Sequence, residues 1–282
     1  RRETVGAGCN GTRCVMGGGW YNPAATNIID YVQIATTGDS VDFGDQTATG
    51  GGSPLNNTIR LILKVHSSNS ATHLDTVVMS TTGNAGDFGD TTTSHTGSFA
   101  GATSSTRGIY AGQNGPLNTM DFITMATFGD AIDFGDATHA AHMASGCASP
   151  TRGVWFVGDQ SPATRIPELN FITIASKGNG IRFGDLSKFG RDRGAASNSV
   201  RGIFAGGREP ALLDEIDYVT IASEGNATVF GDLTSARWMA GQTASNNTRV
   251  VFMSGIAGSG PSYSDFTDVI DFITISTTGN AQ

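Results

Sequence analysis

Lysine is almost absent from this 282-residue chain, which contains only Lys64, Lys177 and Lys188. Lys and Arg together number 17 against 25 Asp and Glu, for a formal net charge of -8, and no stretch concentrates the cations. An electrostatic grip on nucleic-acid phosphates or on anionic lipid therefore has no basis, so neither nucleic acid nor membrane insertion is expected. Cysteine is equally sparse. Cys9, Cys14 and Cys147 form an odd set, too few for a disulfide framework. Cys9 and Cys14 flank a short turn and could pair across it, although small buried thiols are the expected state. Long apolar runs are lacking as well. Val250 to Met253 and Val154 to Val157 fall far short of the ~20 residues that cross a bilayer, and the opening Arg1, Arg2, Glu3, Thr4 has no signal-peptide core. A soluble chain is the expectation.

Glycine is abundant, at 39 residues, while hydrophobic residues make up 38% and charged residues 15%. That balance suits short strands and tight turns better than helices or disorder. Length alone allows one large domain or two smaller ones, so periodicity has to decide.

The chain repeats itself with a period of about 47 residues. An arginine opens a β-rich run at Arg13, Arg60, Arg107, Arg152, Arg201 and Arg249. A second strand follows, headed by Asp or Asn, as in Asp30-Tyr31-Val32, Asp75-Thr76-Val77, Asn170-Phe171-Ile172 and Asp271-Phe272-Ile273. After a glycine-bearing turn comes Phe-Gly-Asp, starting at Phe43, Phe88, Phe134, Phe183 and Phe230. Runs of small residues such as SFAGATSS and GAASNS precede the next arginine. They suit an innermost strand, where neighbouring sheets crowd together.

Turn-forming pairs, from Asn10-Gly11 to Asn246-Asn247, separate that strand from the arginine-led one. Each repeat thus predicts four strands. Sheets this small bury both faces only by packing against one another around an axis, which predicts an all-β, six-bladed β-propeller. The blades run approximately 1–47, 48–92, 93–138, 139–187, 188–234 and 235–282. A sixth Phe-Gly-Asp would begin where Gly279-Asn280-Ala281-Gln282 ends, so a longer natural polypeptide, with a strand from beyond residue 282 or before residue 1, is expected to complete the last blade.

Gly17-Gly18-Gly19 and Gly206-Gly207, with weaker forms at Gly112 and Gly158, close the arginine-led strand much as a di-glycine does in the kelch repeat, which this repeat resembles over the whole chain. Tyr31, Phe122, Phe171, Tyr218 and Phe272 hold the place of the kelch tyrosine, while the phenylalanine of Phe-Gly-Asp replaces the kelch tryptophan. The phrasing Ile216-Asp217-Tyr218-Val219-Thr220-Ile221-Ala222-Ser223-Glu224-Gly225-Asn226-Ala227 is also similar to repeat-rich virion proteins of marine bacteriophages. That second resemblance implies a tail-fibre or other appendage protein, located in the virion or extracellularly, with other virion proteins among its partners.

Recurrence in every blade argues that the arginines and the Phe-Gly-Asp motifs are scaffold, because an active site is rarely sixfold. The expected arrangement is a planar guanidinium hydrogen-bonded to a repeated carboxylate, with the phenylalanines filling the space between blades. His139 and His142 lie three apart but have no evident third metal ligand, and the oxygens of Ser262 to Asp268 lack the spacing of a calcium loop. No phosphate loop, nucleophile elbow or CxxC pair occurs, so no catalytic residue, metal or cofactor is expected.

What varies between repeats is the loop joining the second and third strands. Up-and-down connectivity places all six loops on one face, where binding usually sits. That face offers Trp20, Tyr21, Arg165, Arg208, Tyr263 and Phe266, residue types that suit sugar stacking or a protein partner. The leading expectation is a non-enzymatic module that binds a host-surface glycan or a neighbouring virion protein. A propeller-type glycan-active enzyme and an intracellular kelch-like adaptor are the alternatives.

Overall fold

The computed structural model describes residues 6–21, 24–52, 54–65, 72–94, 100–112, 117–142, 145–160, 164–238, 243–258 and 265–282. These form a β-propeller of six antiparallel blades, with no helix among them. The first blade runs outward through Gly6–Cys9, Arg13–Gly17, Ile28–Gln33 and Val41–Asp45. The next four blades repeat that order, and the sixth has three strands, Thr243–Ser245, Arg249–Met253 and Ile270–Thr274.

Register is the same in every blade. The leading arginine of the second strand faces Gln33, Val78, Thr124, Thr173, Thr220 or Thr274 of the third, and four more consecutive pairs follow without a slip. Alternation along the strands fixes this, because a one-residue slip would turn every apolar side chain to the wrong face. The turn before each arginine is pinned by a side-chain oxygen. Asn10 Oδ1 accepts from the amides of Thr12 and Arg13, and Asn57, Ser104, Ser149, Asn198 and Asn246 act likewise.

The core lies between the blades as five successive layers. In the first, Val15, Ile29 and Phe43 meet Leu61, Leu63, Val77 and Met79. The Phe-Gly-Asp strand builds each layer. Its phenylalanine is the extra residue of a β-bulge against the third strand, between the partners of Ile29 and Asp30 in the first blade. The bulge turns the ring inward and, in all but the second blade, edge-on to the aromatic of the third strand, with centroids 5.9 Å apart for Tyr31 and Phe43 and 5.8 Å for Phe171 and Phe183. Phe43, Phe88, Phe134, Phe183 and Phe230 are all buried, each worth roughly 1.5–3 kcal/mol.

The motif's glycine then lets two backbones touch. A Cβ on Gly135 would stand 2.6 Å from the Gly178 carbonyl oxygen of the next blade. Main-chain bonds seal the contact, with Gly83 N–H donating to Phe43 O at 2.7 Å, Ala85 N–H to Asp45 O at 2.8 Å, and Asp45 N–H to Asn84 Oδ1 at 3.1 Å. The same three bonds recur at each of the next four joints.

The repeated arginines do not pair with the repeated carboxylates, contrary to the sequence-based expectation. Five of the six guanidinia lie over the third-strand ring instead, at 4.6 Å for Arg13 on Tyr31, 4.8 Å for Arg107 on Phe122, 4.7 Å for Arg152 on Phe171, 4.6 Å for Arg201 on Tyr218 and 4.7 Å for Arg249 on Phe272, and Arg60 lies over Phe128 of the third blade. Arg13, Arg107 and Arg201 also donate to carbonyls of the following blade, Ser80, Ala175 and Ile275. The cause is register. Facing residue 33, Arg13 shares a sheet face with Tyr31, while Asp30 points to the other face.

There the repeated carboxylates meet threonines of the preceding blade, as in Thr47 Oγ1 to Asp75 at 2.7 Å and Thr234 Oγ1 to Asp271 at 2.6 Å. Two other arginines supply the ion pairs. Arg193 meets Asp217, and Arg237 meets Asp271, each at 2.8 Å and buried.

Candidate functional site

The loop side of the molecule carries secondary structure of its own. In the fourth blade the incoming Ala141–His142 pairs with Asp159–Gln160, which pairs with Thr164–Arg165. The fifth and sixth blades repeat that three-rung pattern as isolated bridges, Arg191 to Arg208 to Leu212 and Trp238 to Ile256 to Phe266. In the first blade Trp20–Tyr21 folds back on Ala24–Ala25. In the fourth, fifth and sixth blades the entering linker is thus tied to the long loop of that same blade, so these three loops are held at their bases by backbone pairing.

This frame distributes the residues expected to bind. Trp20 and Tyr21 sit on the first-blade hairpin, Arg165 on the outer rung of the fourth blade and Phe266, half-buried, on that of the sixth. Tyr263 lies outside the described residues. The described ones belong to four different blades. Arg208 has the best-defined surroundings. Its guanidinium lies 3.5 Å from the Trp238 ring centroid, and its Nε donates to Asp192 Oδ2 at 3.0 Å. Asp192 holds a left-handed backbone at φ 58, a conformation Asp tolerates better than most residues. Sequence reading missed Trp238 and Asp192, because both lie in linkers outside the repeated motifs.

The titratable groups elsewhere answer to burial. Lys64, at the end of a second strand, is held down to about 7 by desolvation, against the pull of the Asp121 carboxylate, and its Nζ donates to Thr91 Oγ1 at 3.4 Å. Burial pushes the Cys147 thiol up to about 12 and raises the Tyr110 phenol. Cys9 and Cys14 face each other across the first hairpin as free thiols, and the hydrogen bond between them raises Cys9 and lowers Cys14. Cys9 is exposed rather than buried, because the inner strand's alternation turns it outward.

His139 is engaged by Thr138 at 3.0 Å and Glu168 at 3.3 Å, and the His142 side chain is outside the described residues, as are Ser262, Tyr263 and Ser264. Among the described residues no group of three or more His, Cys, Asp or Glu is arranged to hold a metal ion. No model of a known protein family matches the chain, and no curated protein matches it either.

Proposed function

We propose that this propeller is a non-enzymatic binding or structural module, a kelch-like appendage protein of a bacteriophage virion whose loop face recognises a host-surface glycan or a neighbouring virion protein. The observation that carries this reading is the contrast between blades and loops. The blades keep one register residue for residue, while the second-to-third-strand loops differ in length, sequence and pairing from blade to blade. A fixed frame with divergent, backbone-braced loops is the arrangement in which recognition evolves without disturbing stability. The virion assignment rests on the phrasing of the repeat.

A glycan microarray probed with the purified chain tests the reading, with Trp20→Ala and Arg165→Ala as loop-face variants. Saturable binding, weakened in the variants and leaving the mass of the bound glycan unchanged, is expected. Release of a smaller sugar product would overturn the non-enzymatic reading. Failure to bind both glycans and proteins of the same virion would overturn the binding role.

A further inference from the structure

One pair of arginines lies outside the repeat. The three-rung pattern on the loop side recurs in three blades with different residues: His142, Asp159 and Arg165 in the fourth, Arg191, Arg208 and Leu212 in the fifth, Trp238, Ile256 and Phe266 in the sixth. The middle rung is an acid in one blade, a cation in the next and apolar in the third, so the backbone frame does not require arginine there. Arg191 and Arg208 nevertheless stand directly opposite each other, Arg191 N–H donating to Arg208 O at 3.2 Å and Arg208 N–H to Arg191 O at 3.0 Å. Residues paired in this way project from the same face, where two like charges cost stability.

The backbone beneath them is fixed. Gly206 and Gly207 hold φ 64 and 107, and their amides donate to Glu215 O at 3.1 Å and Arg237 O at 2.9 Å. A Cβ on Gly207 would stand 2.8 Å from Arg191 O, so glycine is what lets the two arginine segments close on each other.

The Arg208 side chain is held as firmly. The buried Asp192 accepts from its Nε at 3.0 Å, and its guanidinium rests 3.5 Å from the Trp238 ring centroid. Its Nη1 and Nη2 make no hydrogen bond to any described residue and both reach solvent, the side chain being 23% exposed. That remaining edge offers two N–H donors side by side, the pattern that grips two oxygens of a carboxylate or a sulfate. Because ring and acid already hold the group in place, little conformational freedom is lost when an anion arrives.

We propose that Arg208, flanked by Arg191, is the subsite of the loop face for an acidic sugar, one that bears a carboxylate or a sulfate ester. This rests on the glycan-binding reading of that face. Ile256 and Phe266, half-buried on the rungs that follow Trp238, supply an apolar shelf for the C–H face of a sugar ring beside the anion, which favours a sugar over an acidic peptide.

The test titrates the full chain by isothermal calorimetry with three tetrasaccharides of one backbone: a glucuronate-containing form, its carboxyl-reduced neutral form, and that neutral form carrying a sulfate ester. One of the two charged sugars should bind at least about tenfold tighter than the neutral one, and which of them does so identifies the oxyanion. Arg208→Gln should abolish that preference. Arg208→Lys keeps a cation against Asp192 and should melt as the parent does, yet it lacks the two-nitrogen edge and should bind the charged sugar several-fold more weakly. Equal affinity for charged and neutral sugars, or a preference unchanged in Arg208→Gln, overturns the inference and leaves the face a glycan-binding surface. Binding of none of the three overturns it as well, as does tighter binding of a hexaglutamate peptide than of any sugar, and the glycan array then reports separately on the face as a whole.

Discussion

The second and fifth blades share one register and solve the same two problems differently. In the fifth, Arg201 lies on Tyr218 of its own third strand, and the buried Asp217 is neutralised by the equally buried Arg193. In the second, Thr76 stands where the ring should be. Arg60 lies instead over Phe128, 4.7 Å away on the turn of the third blade, and Phe128 packs on Phe88 at 5.7 Å. Asp75 is held by Thr47 and His73 rather than by an arginine. The scaffold thus requires that each arginine find a ring and each buried acid find donors, and it accepts these partners from whichever blade can reach.

The largest test of that comparison is in the buried acids. Arg193→Met leaves Asp217 charged and fully buried, so thermal and denaturant unfolding should show a loss of about 3–5 kcal/mol, with most of it recovered in Arg193→Met with Asp217→Leu. Asp75→Asn in the second blade should cost about 1 kcal/mol or less, because no buried cation is orphaned and the fourth blade already carries Asn170 at that place.

Rings come next. Phe230→Ala empties a packed layer and should cost about 3 kcal/mol. Phe128→Ala, at a side chain 60% exposed, should cost about 1 kcal/mol. Adding Thr76→Tyr to Phe128→Ala should restore part of that loss by giving Arg60 a ring within its own strand pair.

Lys64 gives the second blade a pH dependence that the fifth lacks. Its amine titrates near 7 in the folded chain against 10.5 as the ordinary value. Between those values the unfolded chain binds the extra proton, so stability rises as pH climbs from about 7 to 10.5, and the full penalty is present below pH 7. Lys64→Met should therefore gain more in melting temperature over the parent at pH 7 than at pH 10. The smallest effect is at the surface of the fifth blade. Lys188→Ala removes an exposed partner of Glu215, which keeps the Ser187 hydroxyl, and should change stability by about 0.5 kcal/mol or less.

Much of the fold could be read from the chain. The arginines, the Asp-headed strands and the five Phe-Gly-Asp motifs mark the strands, because each strand's alternation is a local pattern. The tie between Asn10 and its turn was legible for the same reason. The bulge was not, since an extra residue is visible only once its partner strand is known. Nor was the arginine's choice of ring over carboxylate, which depends on two strands brought into register by a loop of variable length. The loop-side rungs at Arg191, Arg208 and Leu212 follow no repeated motif. Trp238 comes beneath Arg208 only because successive blades pack side by side.

By itself, the sequence determined the number of blades, the order of strands within each and the face to which each side chain turns, all set by spacing and by a two-residue alternation. The tertiary structure alone decided which cation neutralises which buried acid, and why Arg60 rests on Phe128 of the next blade while Arg201 rests on Tyr218 of its own. Those outcomes depend on groups well apart in the chain, and burial and charge pairing are properties of neighbours in space.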